Sequence, residues 1–113
     1  MEKVDALLVS ADPFLLNQRE QIVDLAARHA LPAAYQWREF AELGGLMSYG
    51  TSIADAYRHA GVYAGRILKG QRVAELPVQQ AVKVELVVNL KTARRLGIQV
   101  PQSILARADE VIE

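Results

Sequence analysis

The sequence predicts a single α/β domain built on parallel strands. The apolar run over residues 4–10 is typical of a strand buried on both faces, and a helix over residues 14–29 separates it from a short strand over residues 33–36. Two strands connected by a helix in this way pair in parallel through a right-handed crossover. A length of 113 residues allows one hydrophobic core, and a hydrophobic content of 51% is enough to form it.

The residue types and the charge balance exclude several classes of protein. Thirteen Lys and Arg residues cancel thirteen Asp and Glu residues, so the broad basic face of a nucleic-acid-binding protein is not expected. The lack of cysteine excludes disulfides, thiolate metal sites and cysteine nucleophiles. His29 is expected at a helix end and His59 on a polar helix side, and we expect no metal and no cofactor. The sequence has no apolar stretch of membrane-spanning length, and we do not expect its first residues to act as a signal peptide.

The first helix has recognisable ends. Asp12 followed by Pro13 is typical of a helix N-terminus, because a short acid caps free N–H groups and proline fits the first turn. Leu31 and Pro32 end the helix, and residues 37–43 form a polar connection with a possible helical turn. The predicted apolar stripe of the helix consists of Ile22, Val23, Ala26, Ala27 and Ala30.

A third strand and a long helix follow. Residues 46–49 predict a brief strand that ends at Gly50. Thr51 or Ser52 caps the next helix, and Ser52 with Asp55 has the spacing of a capping box. The helix reaches Lys69 before Gly70 ends it. The predicted apolar face of this helix consists of Ile53, Ala56, Tyr57, Ala60, Tyr63, Ala64, Ile67 and Leu68.

Two glycines interrupt this long helix. Gly61 and Gly65 lie one turn apart, and each costs about 1 kcal/mol in helix propensity relative to alanine. A close approach by a neighbouring backbone would compensate for that cost. We therefore expect another element to pack against the helix at these two positions.

The last third of the chain predicts one strand and two helices. Residues 71–80 form an extended linker, and residues 82–90 alternate between apolar and polar, as in a half-exposed strand at a sheet edge. Asn89 caps a short helix over residues 90–96, which Gly97 ends, and Ser103 caps a terminal helix. The apolar residues of that terminal helix are Ile104, Leu105, Ala108, Val111 and Ile112.

No motif in the sequence supports an enzymatic activity. The first strand is not followed by a glycine-rich phosphate loop, and neither Ser10 nor Ser48 lies in a nucleophile elbow. Glu39 and Glu42 share one helical face, but a solvated turn explains them better than paired-acid catalysis. We therefore expect a protein without catalytic activity.

Two loops have the position of a binding site. In open α/β sheets, ligands bind beyond the carboxyl ends of the strands. Ser10 and Asp12 lie at the end of the first strand, and Ser48, Tyr49 and Gly50 lie at the end of the strand before the long helix. Together these groups can hold a small zwitterion, whereas ordinary helix capping is the alternative explanation, above all for Asp12.

Several longer motifs carry a resemblance to a known family. They are GGLMSYG at residues 44–50, AYRHAGVY at 56–63 with ILKG at 67–70, LPVQQ at 76–80, VELVVNLKTA at 84–93, GIQVP at 97–101 and SILARADE at 103–110. In this order they resemble the bacterial ABC-transporter substrate-binding proteins related to the tryptophan- and tyrosine-binding ones. The resemblance covers essentially the whole chain.

The resemblance implies a fold and a function. Family members have two α/β lobes of the type I periplasmic-binding-protein kind, and this chain resembles only their C-terminal part. By that likeness, residues 1–36 belong to the second lobe, residues 44–70 return to the first lobe, and residues 82–113 contain a crossover strand and the C-terminal helices. The implied function is binding of an amino-acid-like or carboxylate solute for an ABC permease, in a periplasmic or membrane-associated protein.

The resemblance also implies roles for the candidate residues. Asp12, beside Ser10, would bind an amine, Tyr49 would stack on or hydrogen-bond to the solute, and Ser48 and the Gly50 N–H would bind oxygen atoms. Because a C-terminal part would expose surfaces meant for the missing lobe, we expect a homodimer or a higher oligomer. The alternative is a self-associating interaction or regulatory α/β domain that binds no solute.

Overall fold

A five-stranded mixed sheet forms the centre of the computed structural model, which describes residues 4–78 and 83–113. The strand order is β1-β2-β3-β4-β5, and every pair is parallel except β3 with β4. The predicted α/β class and the parallel strand–helix–strand unit are therefore confirmed. The strands are β1 (Leu7–Leu8), β2 (Ala33–Tyr35), β3 (Met47–Thr51), β4 (Val84–Asn89) and β5 (Glu110–Ile112).

Within the described ranges, six helices connect these strands, and a 3₁₀ turn, Val73–Glu75, lies within the predicted linker. Most boundaries agree with the predicted ones to within a few residues. The helices are α1 (Pro13–Asn17), α2 (Arg19–Arg28), α3 (Arg38–Glu42), α4 (Ile53–Leu68), α5 (Leu90–Leu96) and α6 (Gln102–Arg107). No helix among the described residues is long and apolar enough to cross a membrane.

The first unit differs from its prediction in two respects. The helix is divided at Gln18 into α1 and α2. The first strand is not buried on both faces, since Leu7 is 37% exposed and Leu8 is 74% exposed. Its position at the outer edge of the sheet explains this exposure, because β1 has a strand partner on one side only.

The core lies on one face of the sheet, beneath α2, α3 and α5. Its largest buried side chains are Tyr35 and Phe40, whose rings stack with centroids 4.7 Å apart. Val87 of β4 is fully buried on the same face. Residues of the predicted stripe contribute as well, since Val23 and Ala26 of α2 are buried in this cluster.

Strand β4 is central, not at an edge as predicted. The strand is also less exposed than the alternation predicted, since Val88 is buried on one face and Glu85, Val87 and Asn89 are all buried on the other. The polar members of this face are buried with partners, as the Asn89 side chain donates to the Ala41 carbonyl at 3.0 Å and accepts from the Thr92 N–H at 3.2 Å. Residue 82, the predicted start of this strand, lies outside the described residues.

The predicted terminal helix is wrong in its second half. Helix α6 ends at Arg107, and Glu110–Ile112 forms strand β5, which pairs in parallel with β4. Asp109 makes the junction, because its N–H donates to the Leu86 carbonyl and its carboxylate accepts from the Leu86 N–H, both at 2.8 Å. Pairing with the β4 backbone therefore favours a strand at residues 110–112, although the spacing of their apolar residues is typical of a helix. The short helix after Asn89 and its end at Gly97 are confirmed.

Helix α4 extends away from the sheet. Every one of its side chains is at least partly exposed, including Tyr57 at 74% and Leu68 at 87%. The close neighbour expected at Gly61 and Gly65 is absent from the described residues, since a Cβ added at either glycine would meet no atom within 4 Å. The Cα radius of gyration is 17.4 Å, compared with about 13 Å for a compact domain of this length.

Candidate functional site

A cleft lies at the edge of the sheet where β1, β2 and β3 end. Because these three strands are parallel, the segments that follow them meet at one edge. Trp37 lies two residues after the end of β2, and Thr51 ends β3, from which the chain passes into α4. The cleft has a volume of about 430 Å³ and is lined by Pro13, Leu16, Trp37, Thr51, Ser52, Ile53, Ala56, Tyr57 and Ala60.

Two aromatic rings and a helix N-terminus are the groups in this cleft that can contact a ligand. Trp37 contributes from the sheet side and Tyr57 from the α4 side. Ser52 caps α4 by accepting from the Asp55 N–H at 3.1 Å, as the capping-box spacing predicted. The first turn of a 16-residue helix carries unpaired N–H groups and a partial positive charge, which favour an anionic group nearby.

Asp12 and Ser10 lie on the exposed segment after β1, and neither lines the cleft. Asp12 caps α1, because its Oδ1 accepts from the Phe14 N–H at 2.8 Å. The following residue, Pro13, lines the cleft itself. Capping is thus shown for Asp12, and its proposed contact with an amine stays a prediction.

The structure separates Ser48 and Tyr49, which the sequence analysis had grouped. Successive residues of a strand point to opposite faces. Ser48 is 1% exposed on the core face, opposite Tyr35 of β2, and its Oγ has no hydrogen-bond partner in the part of the chain that the structure describes. Tyr49 is 62% exposed and lines a different groove on the other face, beside Met47 and Leu86.

Gly50 lies in a close contact between two strands. A Cβ added to it would lie 2.1 Å from the Gln36 carbonyl oxygen, so the passage of the chain after β2 requires glycine here. The strand also continues through Gly50 to Thr51, one residue beyond the end predicted for it. The oxygen-binding role predicted for the Gly50 N–H is not tested by these contacts.

The sequence analysis missed Trp37, Thr51 and Tyr57 as cleft residues. The rule that selected Asp12, namely a position directly after a parallel strand, applies equally to Trp37 and Thr51. Tyr57 was assigned only to an apolar helix face. Its position one turn into α4, at +4 from Ile53, places it on the side of the helix that faces the sheet edge.

An arginine fixes the segment that carries Trp37. The Arg38 guanidinium pairs with Glu42 at 2.6 Å, with the largely buried Glu85 of β4 at 2.9 Å, and with Glu110 of β5. The pKa of Arg38 is raised above its ordinary value, first by the hydrogen bond to Glu42 and further by Glu110, although burial opposes the shift. Arg38 thereby links α3 to two strands and stays charged at any physiological pH.

The charges near the cleft are otherwise few. The pKa of Asp55 in the first turn of α4 is lowered, chiefly by its hydrogen bond from Arg58. Within residues 4–78 and 83–113, no group of three or more His, Asp or Glu side chains is arranged to hold a metal ion. The cleft therefore offers aromatic surface, hydroxyl groups and helix N–H groups as its recognition elements.

Comparisons with known proteins agree with this architecture. A family model described as "ABC transporter substrate binding protein" matches residues 1–112. The structure of an ABC domain in complex with L-Trp from Streptococcus pneumonia is similar, with 31% identity, a TM-score of 0.87, and coverage of 97% of this chain and 37% of that one. No curated protein sequence matches this chain.

Two further solved structures share the fold. A conserved domain protein from Vibrio cholerae has 27% identity and a TM-score of 0.85, with 95% of this chain and 36% of that chain covered. The ligand-free, open structure of a substrate-binding protein with adhesive properties from Clostridium difficile has 22% identity and a TM-score of 0.63, over 96% and 36% of the two chains. This chain thus spans little more than a third of the length of each of the three. With the family match over residues 1–112, the chain belongs to the ABC transporter substrate binding protein family.

Proposed function

We propose that this chain is the C-terminal portion of the solute-binding component of an ABC importer, and that it binds an amino-acid-like solute without catalysis. The observation that carries the proposal is the cleft between Trp37 and Tyr57 at the carboxyl edge of the sheet. Its volume of about 430 Å³ falls in the range of small-molecule sites, which is about 300–1,000 Å³. The similar Streptococcus pneumonia domain, in complex with L-Trp, supports the same class of solute.

The cleft favours a solute with an aromatic or branched side chain and a carboxylate. The apolar part of such a solute packs between Trp37 and Tyr57, because offset aromatic contacts add about 0.5–1.5 kcal/mol to area burial. Its carboxylate faces the N-terminus of α4, where Thr51 and Ser52 add hydroxyl groups. Asp12, with one carboxylate oxygen used in capping, accepts the solute's amine through the other oxygen.

The proposal divides the chain between two lobes. Residues 1–36 belong to the second lobe, residues 44–70 to the first, and residues 82–113 contain the crossover strand and the elements that follow. The exposed side chains of α4 support this division, since an amphipathic helix without a packing partner normally buries its apolar face elsewhere. In this view the complete protein is periplasmic or membrane-associated and delivers its solute to an ABC permease.

Fluorescence tests the solute site directly. Trp37 is the only tryptophan in the chain, so the tryptophan emission comes from a residue that lines the cleft. We expect phenylalanine, tyrosine, leucine or isoleucine to change this emission saturably, and Tyr57→Ala to weaken binding about threefold to tenfold through the lost aromatic contact. If none of these amino acids changes the emission at millimolar concentration, the chain has no solute site of its own.

Tyr49→Ala is the matched aromatic comparison. Tyr49 has an exposure close to that of Tyr57 but lies on the other groove. Weaker binding in Tyr49→Ala supports the role that the sequence predicted for this residue. Unchanged binding in Tyr49→Ala, together with a loss in Tyr57→Ala, assigns the solute to the cleft and removes Tyr49 from the site.

We further propose that the isolated chain forms a homodimer through its exposed apolar surface. Leu8, Phe14, Tyr57 and Leu68 are each between 68% and 87% exposed, which is unusual for large apolar side chains of a monomer. Native mass spectrometry tests this together with solute binding. A dimer with added mass of amino-acid size supports both proposals, and a dimer that never retains a solute favours the alternative of a self-associating interaction domain. A monomer at high concentration contradicts the homodimer.

A further inference from the structure

The residue before Trp37 and the residue after it are both held against the sheet. On one side, the Gln36 carbonyl oxygen packs on Gly50 of β3 so closely that it leaves no room for a Cβ there. On the other side, the Arg38 guanidinium pairs with Glu85 of β4 at 2.9 Å. Gly50 and Glu85 are themselves cross-strand partners in the antiparallel pair of β3 and β4. Trp37 therefore lies between two contacts that meet at one position of the sheet.

Helix α3 has no side-chain cap at the end that carries Trp37. Trp37 is its N-cap residue, and the indole makes no capping hydrogen bond. A helix of five residues is unstable without tertiary contacts, because it forms few backbone hydrogen bonds for the entropy lost in starting it. Arg38 is the first residue of α3, so its ion pairs fix the start of the helix and with it the backbone of Trp37.

The Arg38 guanidinium uses each of its three nitrogens for a different carboxylate. Nε donates to Glu42 at 2.6 Å, Nη1 to Glu85 at 2.9 Å and Nη2 to Glu110. These partners belong to α3, β4 and β5, and the compact ammonium of a lysine cannot reproduce this planar fork. Without the guanidinium, three negative charges would surround one point and repel one another. The attachment of α3 to the sheet at this corner therefore depends on Arg38.

We propose that Arg38 is a positioning residue for the solute, and that it makes solute affinity depend on Glu110, a residue of β5 that does not line the cleft. The inference rests on the proposed function of the cleft. Trp37 packs against the core cluster and also lines the cleft. Because its backbone is fixed, the indole is ordered before the solute arrives, and binding then loses less side-chain entropy.

Time-resolved fluorescence anisotropy of Trp37 tests the first step in the chain without solute. We expect Arg38→Met to increase the amplitude of nanosecond indole motion, and Arg38→Lys to increase it less. Arg28→Met is the matched control, since Arg28 pairs with Asp24 at 2.9 Å on α2 and should leave the motion unchanged. All variants are measured well below their unfolding midpoints, as located by circular dichroism. Equal indole motion in wild type and Arg38→Met refutes the positioning role.

Titration calorimetry tests the effect on affinity, with whichever of phenylalanine, tyrosine, leucine and isoleucine binds the wild type most tightly. Arg38→Met should weaken binding about twofold to tenfold, the range expected for ordering one side chain on binding. Glu110→Gln should weaken binding about twofold and have no further effect once residue 38 is methionine. Glu75→Gln removes a similarly exposed carboxylate from a pair with Arg72 and should leave the affinity unchanged.

The outcomes separate this inference from the proposed function. If no amino acid binds the wild type, the proposed function and the effect on affinity both fail, whereas the anisotropy still decides whether Arg38 holds Trp37. If wild type, Arg38→Met and Glu110→Gln bind with equal affinity, the cleft remains the solute site and the inference is wrong. An equal effect of Glu110→Gln with and without Arg38 also overturns it. Should Arg38→Met fail to fold, Arg38→Lys and Glu110→Gln decide the same question.

Discussion

Replacement of Gly50 by alanine tests how tightly the sheet is closed beside the cleft. A Cβ at this position would lie 2.1 Å from the Gln36 carbonyl oxygen and 3.0 Å from its carbon. Both atoms belong to the backbone, so no side-chain rotation can relieve the contact. The chain after β2 must therefore move away from β3, and that movement also displaces Trp37, the next residue.

The cost follows from the shift that the backbone has to make. An ordinary carbon–oxygen contact needs a separation of about 3.4 Å, so the strands must separate by more than 1 Å, and overpacking of this kind costs about 1–3 kcal/mol. We take about 2 kcal/mol as the expected loss. With a urea m-value of about 1.5 kcal/mol/M for a small domain, the midpoint of Gly50→Ala falls by about 1.3 M. Circular dichroism measures this midpoint.

Gly61→Ala is the matched control for the substitution itself. The added methyl group meets nothing within 4 Å in the described part of the chain, and alanine gains about 1 kcal/mol of helix propensity over glycine. The control should raise the urea midpoint of the isolated chain, whereas Gly50→Ala lowers it. A Gly50→Ala midpoint within 0.3 M of wild type, a margin of about 0.5 kcal/mol at that m-value, would refute the close approach of β2 and β3.

Three further changes test other contacts of the fold. Asn89→Ala removes a helix cap and a buried partner of a carbonyl, so urea unfolding should show a loss of about 2–3 kcal/mol; a loss below about 0.5 kcal/mol contradicts that role. Arg38→Met leaves Glu85 largely buried without its counter-charge and should cost about 2 kcal/mol, of which adding Glu85→Gln should restore part. The lowered pKa of Asp55 means that its pairing with Arg58 stabilises α4 fully above pH 3.8 and is lost as the pH falls through the lowered value. Far-UV circular dichroism should show this acid loss in wild type and not in Asp55→Asn.

The sequence predicted local features of the fold well because they depend on neighbouring residues. The cap at Asp12, the cap at Ser52 and the left-handed end at Gly97 are all decided within a few residues of the chain. The faces of β4 could not be predicted in the same way. Glu85 and Asn89 are polar, and only the distant partners Arg38 and Ala41 make their burial favourable.

The same limit applies to the candidate site. Tyr49 and Ser48 are adjacent in sequence, and the short strand Met47–Thr51 places them on opposite faces. The motif at residues 44–50 therefore contains both buried and exposed positions, and only the exposed ones can contact a solute. Trp37 and Tyr57 come from segments whose proximity depends on three parallel strands ending together, and the sequence analysis did not combine them.

Helix α4 connects the fold to the proposed function. In the described residues its two glycines face open space, which leaves their cost of about 1 kcal/mol each without compensation. If residues 44–70 pack in another lobe, close contact with a neighbouring backbone there compensates for the helix-propensity cost of the two glycines. The sign of Gly61→Ala should then reverse, from stabilising in this chain to destabilising by about 1–3 kcal/mol in a two-lobed protein that contains it. If Gly61→Ala stabilises both the isolated chain and the two-lobed protein, no element packs closely on α4. The assignment of residues 44–70 to a first lobe is then wrong.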